Sequence, residues 1–349
     1  MAWRTYKYLP NGGATDPVWV YKAGMQVLTV LFCRAALALL LLAMAGAARA
    51  QVSTPIDEGL AQHLLNRLGY GPSPGELARV RAMGVQAYVD SQLAPPPMPP
   101  RLEERLRALS GPDAHGEEAL LRAIASPRQL EEVLVGFWLQ HFREGDAAGR
   151  VVRPHVLGSY AGLGAALGKR GGEGAAMQAL VRHFVTAPSA NLQRSVARVW
   201  ESTRGDQRAV LRRLLTSPEF LARSQWNGKE KDALRFVSSA VRASGLVVEN
   251  VAPLMPFVRG PLSDKERAEF VERLAGGRLA LAPVRPHEYA SSAPPLRAIE
   301  AAQGSVSQPG PVLMTAPTPS AVAMAAARGQ PADPVRLREQ LQNQEFLRY

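Results

Sequence analysis

From residue 60 onward, large apolar side chains return at every third or fourth position and nowhere sustain an every-second alternation. A helix repeats every 3.6 residues and a strand every 2, so this spacing buries apolar surface only as helices packed on helices. Leu60, Leu64, Leu65 and Leu68 open the pattern, and Gly69-Tyr70-Gly71 stops it. The clearest stripe is Leu130, Val133, Leu134, Phe137, Trp138 and His141. Further helices are predicted over 74–84, 88–93, 102–109, 117–124, 173–184, 191–200, 206–215, 229–243 and 263–274, most ending near Gly or Pro. Ser73 with Glu76, Ser126 with Gln129 and Ser263 with Glu266 have the spacing of capping boxes. The expected fold is all-α, an irregular multi-helix bundle.

The two low-complexity stretches divide the chain. Residues 35–45 are an apolar run after Arg34, followed by Ala48-Arg49-Ala50, which is the layout of a signal peptide cleaved after Ala50. The uncharged stretch 35–48 is shorter than the ~20 residues that a bilayer-crossing helix needs, so no stable membrane span is expected after cleavage. Residues 1–24 exceed what a signal peptide requires, and Met25 is the expected start of translation. Ten prolines fall in 283–334, among many Ala, Ser and Gly, where a disordered or surface-draped linker is expected. The organisation is therefore a leader and signal peptide over 1–50, a helical domain over 51–280, a linker over 281–332 and a C-terminal helix over 333–349, capped by Asp333. The signal peptide makes the expected location periplasmic or secreted.

Composition removes several function classes. The formal charge is +11, but five basic residues and one acidic residue lie in the first fifty, and the remaining bases are interspersed with acids. Such a distribution is unlike a nucleic-acid arm, so no nucleic-acid partner is expected. The one cysteine, Cys33, lies in the leader, which leaves the mature chain without disulfide, thiolate nucleophile or Cys-ligated metal.

Several segments, in order, resemble the bacterial domain of unknown function 1800 family. They are HLLNRLGYGPSP at 63–74, FWLQHF at 137–142, RPHVLG at 153–158, His183-Phe184-Val185 with Pro188-Ser189, and Gly205-Asp206 through LLTSPEF at 214–220; QEFLR at 344–348 resembles the family's end. Members ordinarily carry a long insert with Asn-Glu-Asn and Ala-Arg-Glu-Leu signatures between the Arg-x-His-x-Leu-Gly piece and His-Phe-Val. Here about 25 Gly-rich residues join Gly158 to His183 without either signature. The resemblance implies an exported helical bacterial protein, often encoded near another exported protein that would be its envelope partner, with no established activity.

His141, Arg153 and His155 are the binding candidates. Arg153 and His155 place a permanent cation and a titratable donor two residues apart, a pairing able to grip a carboxylate, phosphate or sulfate. The competing reading pairs Arg153 with Glu131, Glu132 or Glu144 and leaves His141 in the apolar stripe with Phe137 and Trp138. A zinc site would need His141, His155 and His183 to converge, and none of them has metal-ligand spacing, so neither metal nor cofactor is expected. The loop 168–174 lacks the order of a phosphate-binding loop and reads as a connector, and no Gly-x-Ser-x-Gly occurs. Adjacent acids at Glu103-Glu104, Glu117-Glu118 and Glu131-Glu132 splay by about 100° on a helix and read as solvated faces. The function expected is binding or assembly in the cell envelope. The rivals are an envelope hydrolase or lyase acting on an anionic polymer through His141, Arg153 and His155, and a degenerate remnant of the family domain.

Overall fold

The computed structural model describes residues 55–246, 248–281 and 333–349, and every regular element among them is a helix. The α-helices used below are α1 (Glu58–Arg67), α2 (Glu76–Leu93), α3 (Pro100–Ala108), α4 (Ala114–Ala125), α5 (Gln129–Phe142), α6 (Gly149–Val152), α7 (Tyr160–Ala166), α8 (Glu173–Phe184), α9 (Ala190–Thr203), α10 (Gln207–Leu215), α11 (Pro218–Leu221), α12 (Ala233–Ser244), α13 (Asp264–Ala275) and α14 (Pro334–Gln342). The described residues contain no strand, only isolated bridges at Ser159–Asp206 and Glu230–Arg348. The all-α expectation holds. The expected signal peptide and all of the expected linker beyond Leu281 lie outside the described residues. No helix among the described residues is long and apolar enough to cross a membrane.

Short polar side chains start most of these helices by accepting an orphan amide. Asp57 takes Leu60 N, Ser189 takes Leu192 N, Asp206 takes Ala209 N and Asp232 takes Arg235 N. Asp333 does the same for Val335 N at the start of α14. Ser263 and Glu266 form a complete reciprocal capping box. The other two boxes differ from expectation. At α2 the Glu76 carboxylate does reach back to Ser73 N, but the helix begins at Glu76 after Gly75, and Glu76 N donates to the Ser73 carbonyl rather than its hydroxyl. At α5 the Gln129 side chain turns away from the cap. Its amide donates to Ala123 O and Ser126 O while its oxygen accepts from Tyr70 N.

Residues 76–93 form one span with a break at Gly84, where φ is 74°. That conformation favours glycine, and the apolar pattern on either side of it continues in a new direction. The helix predicted from residue 229 starts instead at Ala233. Residues 229–231 run extended and exchange backbone hydrogen bonds with residues 347–349.

Buried apolar side chains form two clusters. One is built on α1, α2, α5 and α8 to α11, with Leu64, Leu68, Tyr88, Trp138, Phe184 and Phe220 fully buried. The second gathers α3, α4, α12, α13 and α14 around Phe236, Val241, Phe270 and Leu337. Helix α12 serves both: Phe236, Val237, Ala240 and Val241 enter the second cluster, while Arg235 and Arg242 reach back to residues 66–76. Gly71 (φ 87°) stands where α12 passes closest, and a Cβ there would meet Ser239 Cβ at 3.1 Å.

Candidate functional site

Of the three expected site residues, Arg153 is already committed. It follows α6 in a short 3-10 turn whose Pro154 fixes the backbone. Its guanidinium forks onto Glu132, with Nε at 3.1 Å and Nη2 at 3.1 Å from Oε2, and its Nη1 lies 3.3 Å from Glu118 Oε1. Arg122 and Arg150 complete the network on Glu118 at 2.9 and 2.6 Å. Burial pushes the Glu118 carboxyl up, but hydrogen bonds from Arg150 and Arg122 and the charges of Arg122 and Arg153 outweigh it and hold the group below the usual carboxylate range.

This network overturns one expectation. Glu118, Glu131 and Glu132 are buried, not solvated. The adjacent acids do splay, but arginines meet each of them: Arg128, at the cap of the same helix, pairs with Glu131 at 3.1 Å, and Arg153 from another element pairs with Glu132. A buried carboxylate persists only with such partners.

The histidines go elsewhere. His141 lies at the end of α5, with ring centroids 5.9 Å from Phe137 and 5.4 Å from Trp138. Burial lowers its pKa. His183 rests on the other partner of that stripe, 4.9 Å from Phe137. The structure therefore brings His141 and His183 to one phenyl ring and leaves Arg153 with the acids. His155 is half-buried beside α7, where a Cβ on Gly162 would stand 3.9 Å from its Nδ1. No group of three or more His, Asp or Glu side chains suited to a metal ion occurs among the described residues.

A second polar cluster was not anticipated from sequence. The motif at 63–74 supplies His63 and Arg67, α12 supplies Arg235, and the extended segment before it supplies Lys229 and Lys231. Arg67 is 1% exposed. Its Nη2 donates to the carbonyls of His183, at 3.1 Å, and Phe184. Lys229 Nζ donates to the same His183 oxygen at 2.7 Å, and to Arg182 O at 2.9 Å. Two cations thus share the C-terminus of α8, whose dipole presents only about half a negative charge. Arg235 donates to Asn66 O and Gly69 O at the end of α1, and its guanidinium lies 4.0 Å from the Tyr349 ring centre. Arg67 approaches that same ring at 5.0 Å. Lys231 Nζ donates to Ser239 Oγ and stands 3.7 Å from the Phe346 ring.

Among the described residues no carboxylate side chain lies within ion-pair distance of Arg67, Lys229, Lys231 or Arg235, whereas Arg242, two turns beyond Arg235 and on the same face, holds Glu76 at 2.7 Å. Burial and then neighbouring positive charge lower Lys229 to about 8 and Lys231 to about 7. His63 donates from Nε2 to Phe220 O at 3.0 Å, leaving Nδ1 buried without a partner. Burial and the Arg67 charge lower it to about 4. Arg67 Nε and Nη1 are likewise buried and unpartnered. The sequence signal for this cluster is faint: after the leader the chain has only four lysines, and two of them flank Glu230.

The family model described as "Protein of unknown function (DUF1800)" matches residues 63–170 and 176–319. The two matched stretches are interrupted within the Gly-rich connector, and together they include both clusters' helical residues from His63 to Arg242. No curated protein and no solved structure matches the chain. With more than two thirds of its length covered by that model, the chain belongs to the domain of unknown function 1800 family.

Proposed function

We propose that this chain is an exported helical protein that acts by binding or assembly at the cell envelope, with an exported neighbour as its partner. The signal-peptide layout at 35–50 supports export. The observation that carries the binding reading is the cluster at Arg67, Lys229, Lys231 and Arg235, four cations with no carboxylate partner among the described residues. Charge held this way favours attachment of an anionic group, and burial holds His63 and His183 uncharged beside it. Turnover through His141, Arg153 and His155 would need Arg153 to abandon Glu132 and Glu118.

Fractionating cells that express the chain, with mass spectrometry of its N-terminus, tests export: the expected product is periplasmic or secreted and begins at Gln51. A product kept in the cytosol with residues 1–50 attached would overturn the localisation.

A further inference from the structure

We infer that Arg67, Lys229 and Arg235 form a binding site for a doubly charged tetrahedral oxyanion, a phosphate or sulfate group. The inference deepens the binding reading above and rests on it, but it does not depend on where in the cell the chain resides.

Three observations point to it. First, Arg67 uses two of its five donors, on the His183 and Phe184 carbonyls, and keeps Nε and Nη1 unpartnered at 1% exposure. Leaving buried charged donors unmade costs more than a neutral hydrogen bond contributes, so a fold that keeps them has an acceptor to offer them. Second, the charges are coupled to one another: Arg67 and Lys229 meet at His183 O, and Arg67 and Arg235 meet at the Tyr349 ring. Third, the compensation present is small. It consists of helix C-terminal dipoles, ring faces and the negative charge at Tyr349, which raises the Arg67 pKa without outweighing its burial, with Asp232 occupied in capping α12.

Charge decides the ligand class. A carboxylate brings one negative charge, whereas a phosphate group brings about −1.5 to −2 at pH 7 and offers several acceptor oxygens in different directions. Donors arriving from α1, α12 and the 229–231 segment match the second arrangement. Entry is from the side of Lys229 and His183, both only half-buried.

Protonation should be linked to binding. The groups facing the cluster are His63, His183, Tyr70, Tyr349, Asp232 and Lys231. Lys229 and Lys231 lose protons near neutrality because burial and then neighbouring like charges disfavour the charged form, and a bound dianion reverses that preference.

Calorimetric titration of the purified full chain with sulfate and with inorganic phosphate tests the site. Sulfate keeps its charge through the neutral range, so its affinity should fall as pH rises from 6 to 9, and binding at pH 7.5 should take up protons. Lys229→Gln should weaken both anions at least tenfold, while Lys265→Gln, which removes the same charge from an exposed position, should leave them unchanged. Arg67→Gln should abolish binding, and Lys229→Gln decides the matter if that variant does not fold. Vesicles containing phosphatidic acid, titrated in parallel, distinguish a lipid-borne phosphate from a free one. Wild-type protein that binds neither anion saturably, or equal weakening in Lys229→Gln and Lys265→Gln, would overturn the inference.

Discussion

At the residue scale, this protein buries charge in two different ways. Around Glu118 and Glu132 each carboxylate has guanidinium partners, and those partners hold Glu118 below the usual carboxylate range. Around Arg67 the charges have dipoles, rings and carbonyls instead, and the neighbouring histidines are held neutral. His63 illustrates the consequence. Its folded pKa is about 4 against 6.5 in an unfolded chain, so between those values the unfolded state binds the additional proton. Stability from this group is complete above pH 6.5 and is lost as pH falls toward 4, a change of about 3 kcal/mol. His183, also lowered, acts in the same direction. Urea unfolding between pH 7.5 and 4.5 should therefore show a falling midpoint, with a shallower fall in His63→Gln; identical slopes in the two proteins would assign the acid sensitivity elsewhere.

At the element scale, periodicity made the helices legible and distance hid their partners. The stripe Leu130 to His141 is a local pattern, and α5 appears where it predicts. The boundaries of α8 match the predicted 173–184. Glu118 and Glu132 are buried rather than solvated because, besides the nearby Arg122, Arg153 reaches them from 35 and 21 residues away. Arg235 meets the α1 carbonyls across more than 160 positions, and no window of sequence contains that contact. Helix α14 is an amphipathic element whose value lies in packing: Leu337 and Leu341 enter the second apolar cluster, and Arg338 holds Glu272 on α13 at 2.7 Å. Truncating a buried leucine removes its transfer energy and leaves a void. Leu337→Ala should destabilise the protein by about 3 kcal/mol, measured by chemical denaturation, whereas Val335→Ala on the exposed face should change little.

At the scale of the whole molecule, the question is whether the helices on either side of the Gly-rich connector near residues 171–175 close one core. Tyr88, Trp138, Phe184 and Phe220, contributed by four helices on both sides of that connector, are fully excluded from solvent. A core opened by deletion would expose some of them. The expected behaviour is a single cooperative thermal transition without binding of a hydrophobic dye at pH 7. A broad transition with strong dye fluorescence would instead favour a degenerate remnant.

The backbone exchange between residues 229–231 and 347–349 has a consequence for the guanidinium pair at Arg67 and Arg235. Leu337 and Leu341 anchor α14 in the second apolar cluster, and the exchanged hydrogen bonds then station the Tyr349 ring over both guanidinium groups. Clipping the chain after Phe346 would therefore strip the two arginines of their shared ring without touching any residue of α1 or α12.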